Sequence, residues 1–192
     1  MSQGSATVLS MWSGPRNIST AMMRAFGSRP DCTPVDEPFY AYYLTETGLE
    51  HPLRAAVMAS QPQDWQQVAA DINAPLPSGK SVRYLKHMTQ HMLPQIDRDL
   101  FLNHAHCFLI RDPRLVIASF AEKWDQVSAD ATGFIQQLEL FRYFEQKAKT
   151  PCVVIEGEDI QKDPSRMLRA LCAALGISFY PEMLHWTAGP KP

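Results

Sequence analysis

Four short apolar runs, at residues 6–12, 81–86, 106–110 and 151–156, punctuate the chain, each bounded by polar residues, Gly or Pro. Runs of this length read as strands buried on both faces. A weaker fifth run, Cys32–Asp36, predicts one more. Between the runs the period changes: Ile18, Met22, Ala25 and Phe26 fall at i, i+4, i+7 and i+8, and Met167, Leu168, Leu171, Cys172 and Leu175 repeat the stripe. These are the buried faces of amphipathic helices. Asp112-Pro113 and Asp163-Pro164 each place an acidic cap before a first-turn proline, and Gly176 follows the last apolar residue, the expected start and stop signals. Strands alternating with helices predict an α/β domain in three layers, α/β/α, around a mostly parallel sheet. Residues 40–80 follow neither period. Their prolines predict loops around a short helix, lying as an acceptor-side cap over the sheet edge where open α/β folds bind ligands.

With 192 residues, of which 45% are apolar, the chain suits one domain, 1–192, large enough to bury a proper core. Its 18 basic and 20 acidic side chains leave a formal charge of -2. No global field therefore draws it to nucleic acid or to an anionic membrane, and an anionic ligand needs a local site. The partner expected is a small molecule. Cys32, Cys107, Cys152 and Cys172 form no CxxC pair, which fits a reducing cytoplasm. The N-terminus reads as neither a secretory signal nor a membrane span.

Residues 10–20, Ser-Met-Trp-Ser-Gly-Pro-Arg-Asn-Ile-Ser-Thr, leave the first strand, turn through Gly14-Pro15 and enter a helix with two hydroxyls in its first turn. A helix N-terminus offers unpaired N–H groups and a favourable dipole to an anion. Arg16 adds a permanent forked cation, Ser19 and Thr20 add hydroxyl donors, and Gly14 permits close backbone approach. The same residues also fit a plain turn with a solvated Arg. The pattern departs from GxxxxGK[ST], because no second Gly precedes a Lys. A second element, residues 108–119, sends Arg111 out of a strand's carboxyl end and carries Ser119 along the following helix. Both could meet one phosphate, or Arg111 could pair locally.

Taken together, the two segments resemble the sulfotransferase family. Gly14-Pro-Arg-Asn-Ile-Ser-Thr20 is similar to the family's first phosphate loop, with Ile18 where Gly is common, and Arg111-Asp-Pro-Arg resembles the carbohydrate sulfotransferase branch. Residues 154–164 resemble the family's late strand, acidic loop and helix, and the likeness spans residues 8–176. The resemblance implies a P-loop nucleoside triphosphate hydrolase-like fold and 3′-phosphoadenosine 5′-phosphosulfate as sulfonate donor, with no metal required. It assigns the 5′ phosphate to Ser13, Gly14, Pro15, Arg16, Asn17, Ser19 and Thr20, and the 3′ phosphate to Arg111 and Ser119. Trp186 to Lys191 resembles the start of a basic loop that closes over the 3′ phosphate, so Lys191 joins the set; the chain ends there, being shorter than its relatives or lacking a tail.

Sulfonate transfer needs a base for the acceptor and cations beside the transferring group. Arg16 and Lys86 are the electrostatic candidates. For the base, His87 follows the strand end Tyr84-Leu-Lys and Glu37 follows the weak second strand, so either would point toward the loop. An ordinary imidazole near pKa ~6.5 suits proton abstraction. His87 and His91 are four apart, but no third metal ligand stands at recognisable spacing. Trp12, Phe39, Tyr40 and Trp124 could stack on adenine or line the acceptor pocket, although core packing is the commoner fate of such rings. The other readings are a magnesium-dependent small-molecule kinase using ATP and a nonenzymatic nucleotide-binding module.

Overall fold

The apolar runs assemble into a five-stranded sheet in the computed structural model, which describes residues 6–121 and 129–186. Its strands are β1 (Thr7–Ser13), β2 (Cys32–Asp36), β3 (Val82–Met88), β4 (Ala105–Ile110) and β5 (Val153–Glu156). Their order is β2-β3-β1-β4-β5, and every pairing is parallel. Parallel neighbours require crossovers, which helices supply. Helix α1 (Ser19–Gly27) joins β1 to β2, and α2 (Tyr40–Thr47), α3 (Arg54–Ser60) and α4 (Trp65–Asn73) lie between β2 and β3. Between β4 and β5 lie α5 (Pro113–Ala121), α6 (Ala129–Thr132) and α7 (Phe134–Lys147), while α8 (Gly157–Lys162) and α9 (Pro164–Ala174) follow β5. Asp163 caps α9 as its position before Pro164 predicts, accepting the Arg166 N–H at 3.1 Å.

Strand pleating divides the core in two. Leu9, Met11, Tyr84, Cys107 and Leu109 face Met22 and Phe26 of α1 and Leu168 and Leu171 of α9. From the opposite face, Trp12, Leu85 and Phe108 meet Val68 and Ile72 of α4 and Leu140 and Phe144 of α7. Burying each large apolar side chain contributes about 1.5–3 kcal/mol. The two layers hold the carboxyl ends of the strands in place. The chain leaves β1 for β2 on one side and reaches β4 on the other, so the sheet order reverses at β1. Ligands of open α/β sheets bind in the crevice at such a reversal.

Two expectations change. β3 runs two residues past Lys86, because Trp12 pairs with His87 and Ser13 with Met88. His87 is therefore inside the strand, on the face of Leu85 and Trp12. Residues 40–80 hold three helices rather than loops around one. Asp64 caps α4 by accepting the Gln66 N–H, and the buried Arg83 donates to the carbonyls of Ile72 and Ala74 at 2.8 and 2.5 Å, tying the end of α4 to β3. The guanidinium satisfies carbonyls that the helix end leaves open.

Candidate active site

The turn after β1 begins at Gly14, where a Cβ would lie 2.5 Å from the carbonyl oxygen of Thr132. Only glycine fits that approach. Arg16 (φ 61) and Ile18 (φ 37) then adopt left-handed backbone, and such turns gather successive N–H groups into anion-binding concavities. Ile18 has the hand of backbone that Gly accepts without strain. It is also the residue before α1, and no side chain caps that helix. The first-turn N–H groups are left for another acceptor.

Three other elements close on this turn. Arg16 Nε donates to Ser119 Oγ of α5 at 2.8 Å, and Arg111 Nη1, at the end of β4, donates to the Arg16 carbonyl at 2.8 Å. Asn17 is buried and its Nδ2 donates to the Leu109 carbonyl at 2.6 Å. Gly157, at the start of α8, leaves room for Asn17, since a Cβ there would lie 3.1 Å from Oδ1. Arg16, Asn17, Ile18, Ser19, Thr20, Arg111 and Ser119 thereby line one cleft of about 300 Å³. Buried Asn17 Oδ1 and Arg111 Nε have no protein partner. A buried polar atom without a partner is costly, and a bound phosphate ester would supply acceptors to the guanidinium. The donor set is cationic and hydroxylic, which suits phosphate.

At the carboxyl ends of β2 and β3, β2 ends at Asp36 and Glu37 enters a left-handed conformation (φ 44), its N–H held by the Lys86 carbonyl at 2.9 Å. Lys86 Nζ lies 2.8 Å from Asp36 Oδ1 and 2.7 Å from Glu37 Oε1. Burial pulls the ammonium toward neutrality, but the Glu37 and Asp36 carboxylates outweigh it and hold its pKa above the ordinary value. The lysine is thus engaged with two carboxylates. The Glu37 side chain keeps 23% of its surface open, against 6% for Lys86, so the carboxylate rather than the amine faces solvent. Asp36 was not among the residues singled out in the sequence, although an acidic pair at a strand end was its available signal.

His87 is not at the cleft. It is 2% exposed, its ring stacks on Trp12 at 4.2 Å, and it shares the Ser10 hydroxyl with His104, at 3.4 and 2.9 Å. Burial holds its pKa well below the usual imidazole value. Ser13 is also buried, with its hydroxyl on the Met88 sulfur at 3.9 Å, away from the cleft. Trp12 and Phe39 are core residues. Trp124 and Lys191 lie outside the described residues. Among the described residues no three His, Cys, Asp or Glu side chains form a metal-binding group, and no helix is long and apolar enough to cross a membrane.

Comparison with known proteins bears on the family and the fold. The chain is 34% identical over 185 residues to branched-chain-amino-acid aminotransferase-like protein 2 of Arabidopsis thaliana, and 36% identical to protein 1; each match covers 96% of the chain and 33% of the relative. It therefore spans about a third of these curated relatives. Among solved structures, a sulfotransferase from Alicyclobacillus acidocaldarius aligns with TM-score 0.64 at 12% identity, covering 96% of the chain and 87% of that protein. The sulfotransferase domain from the curacin biosynthetic pathway gives 0.58 at 17% identity, covering 95% and 78%. A mouse sulfotransferase complexed with PAP gives 0.54 at 12%, covering 93% and 61%. These likenesses establish the P-loop-like α/β fold. The family model described as sulfotransferase domain matches residues 7–192, and the chain belongs to that family.

Proposed function

We propose that the chain transfers a sulfonate group from 3′-phosphoadenosine 5′-phosphosulfate to a hydroxyl or amine of a small acceptor. The observation that carries the reading is the convergence of the β1–α1 turn with Arg111 and Ser119 on one cleft. Its dimensions and cations suit a nucleotide bearing two separate phosphates. The turn, Arg16, Ser19 and Thr20 hold the 5′ side, and Arg111 and Ser119 the 3′ side. Family membership and a solved neighbour holding PAP support the same donor.

Glu37 is the base in this reading. It follows β2 at the carboxyl end of the sheet, and the Lys86 ammonium beside it holds the carboxylate in place. As the acceptor oxygen or nitrogen attacks sulfur in line, Glu37 takes its proton, the new bond to sulfur forms, and the bond from sulfur to the 5′-phosphate oxygen breaks. Arg16 and the first-turn N–H groups of α1 bear the charge that develops on the departing phosphate. Lys86 acts by positioning Glu37, and His87 has no part in the proton transfer.

Calorimetric titration with 3′,5′-adenosine bisphosphate, beside ATP with and without Mg²⁺, tests the reading. Metal-independent preference for the bisphosphate is expected. Binding of ATP only with Mg²⁺ would overturn it in favour of a kinase, and tight bisphosphate binding without turnover of any acceptor would leave a nucleotide-binding module.

A further inference from the structure

Where β1 and β4 part at the reversal of the sheet, a side chain from α7 bridges them. Ser13 and Leu109 are the last residues of the two strands to pair. Beyond them β1 turns away at Gly14, while β4 runs on through Ile110 to Arg111. Gln137, near the start of α7, is 8% exposed, and its Nε2 donates to the Leu109 carbonyl at 2.9 Å and to the Trp12 carbonyl at 3.3 Å. A primary amide nitrogen carries two hydrogens, so one group serves both strand ends. The Leu109 oxygen also accepts Asn17 Nδ2. With two lone pairs, that single carbonyl ties the turn to α7.

The start of α7 is itself fixed. Gly133 precedes the helix in left-handed backbone (φ 68), and a Cβ there would lie 2.5 Å from Oγ1 of Thr89, in the single turn Thr89–His91 after β3. The Thr89 hydroxyl donates to the Gly133 carbonyl at 2.9 Å, and the Gln137 N–H donates to the same oxygen at 2.9 Å. Gln137 shares its groove with Phe108, Phe134, Leu138 and Phe141. Packing alone therefore favours a hydrocarbon at this position, and a buried amide is costly there unless it is hydrogen-bonded.

Building on the sulfonate-transfer reading, we propose that Gln137 is a positioning residue of the nucleotide site: by holding the ends of β1 and β4 at one separation, it sets the span between the turn that carries Arg16 and the Arg111 that β4 delivers. It acts through the Trp12 and Leu109 carbonyls rather than on the ligand. The consequence is selective. A nucleotide with both 5′ and 3′ phosphates bridges the two segments and feels their span, whereas one with a 5′ phosphate alone engages the turn and does not.

Calorimetric titrations with 3′,5′-adenosine bisphosphate and with adenosine 5′-monophosphate test this on wild type, Gln137→Leu, Gln137→Glu and Phe144→Leu, the last a core change on the same helix. Wild type should prefer the bisphosphate. Gln137→Leu has a similar volume and no donor, and it should bind the bisphosphate about twofold to thirtyfold more weakly, the range that a residue without ligand contact can impose. Its affinity for the monophosphate should change little, so the preference narrows. Gln137→Glu offers at most one hydrogen and should narrow the preference as well. Phe144→Leu should lower the melting temperature and leave the preference whole. A wild-type preference in both Gln137 variants, an equal loss for the two nucleotides, or the same narrowing in Phe144→Leu overturns the proposal. So does failure of both Gln137 variants to fold, which would make the amide a residue of the core alone. No binding of the bisphosphate by wild type, or no preference for it, removes the sulfonate-transfer reading itself, while a normal wild type with unaltered Gln137 variants removes only the role of Gln137.

Discussion

Arg16 and Ser119 are 103 positions apart in the chain, and the Arg16 Nε donates to the Ser119 hydroxyl at 2.8 Å. This single contact joins the turn after β1 to the helix after β4, across the reversal in strand order. The two segments thus line one cleft. Because Arg111 also holds the Arg16 carbonyl, the two arginines are positioned by each other as well as by any ligand.

Replacing either arginine should therefore weaken nucleotide binding. Arg16→Ala and Arg111→Ala each remove a charge-assisted phosphate contact worth about 1.5–3 kcal/mol, so the dissociation constant of 3′,5′-adenosine bisphosphate should rise about tenfold to a hundredfold. Ser119→Ala removes only a neutral hydroxyl and should cost less. Unchanged affinity in both arginine variants, read by calorimetry, would contradict the placement of the nucleotide.

Glu37→Gln separates chemistry from binding. The amide keeps the shape and loses the proton acceptor, so turnover should fall about a hundredfold to ten-thousandfold, with bisphosphate affinity near that of wild type. His87→Asn should instead lower thermal stability, because it disturbs a ring packed against Trp12 and Phe101. If the His87 variant kept its melting temperature and lost turnover while Glu37→Gln stayed active, the base would have been misassigned.

That contrast marks where the sequence was legible. Apolar runs located four of the strands and the weaker run Cys32–Asp36 the fifth, which alternates buried and open positions at the sheet edge, and Asp163 before Pro164 located a helix start. The turn from β1 into α1 could be placed from Gly14-Pro15 and the hydroxyls Ser19 and Thr20, since its signals are local. His87 could not be placed, because polarity suggested a strand end where cross-strand pairing with Trp12 continues the strand. Residues 40–80 were opaque for a related reason: α3 buries none of its residues, so it leaves no periodic stripe.

Gly14 offers a test of the turn that needs no ligand chemistry. Gly14→Ala would set a methyl 2.5 Å from the Thr132 carbonyl oxygen, and neither backbone can yield without moving the turn or the junction of α6 with α7. Thermal stability and bisphosphate affinity should fall together. Gly48→Ala, where no atom lies within 4 Å but φ is +64, is expected to cost about 1 kcal/mol or so of backbone strain and no affinity. Equal nucleotide binding by Gly14→Ala and wild type would refute the close approach.

The buried histidines predict a sharp acid limit to stability. His87, His91, His104 and His106 are each 4% exposed or less. Burial is the leading cause that lowers all four pKa values, to about 3 for His91 and His104, to about 4 for His106, and well below the ordinary value for His87. Their hydrogen bonds are made by neutral rings: His104 to Ser10 and Asn73, and His106 to Trp12 and the Phe101 carbonyl. Because the folded values are lowered, the unfolded chain binds protons first as pH drops through about 6.5. Stability is then whole above that pH and is lost on acidification, by up to about 1.4 kcal/mol per pH unit for each histidine. Four such sites approach a slope of about 5 kcal/mol per pH unit between roughly pH 5.5 and 4.5, which exceeds what a domain of ordinary stability can sustain for long. Urea melts at pH 7.5, 6.5, 5.5 and 5.0 should show a falling midpoint and loss of the fold near pH 5. A midpoint that stays level across that range would mean the imidazoles are charged or solvated in the native protein, and the two-layer core around Trp12 would need to be redrawn.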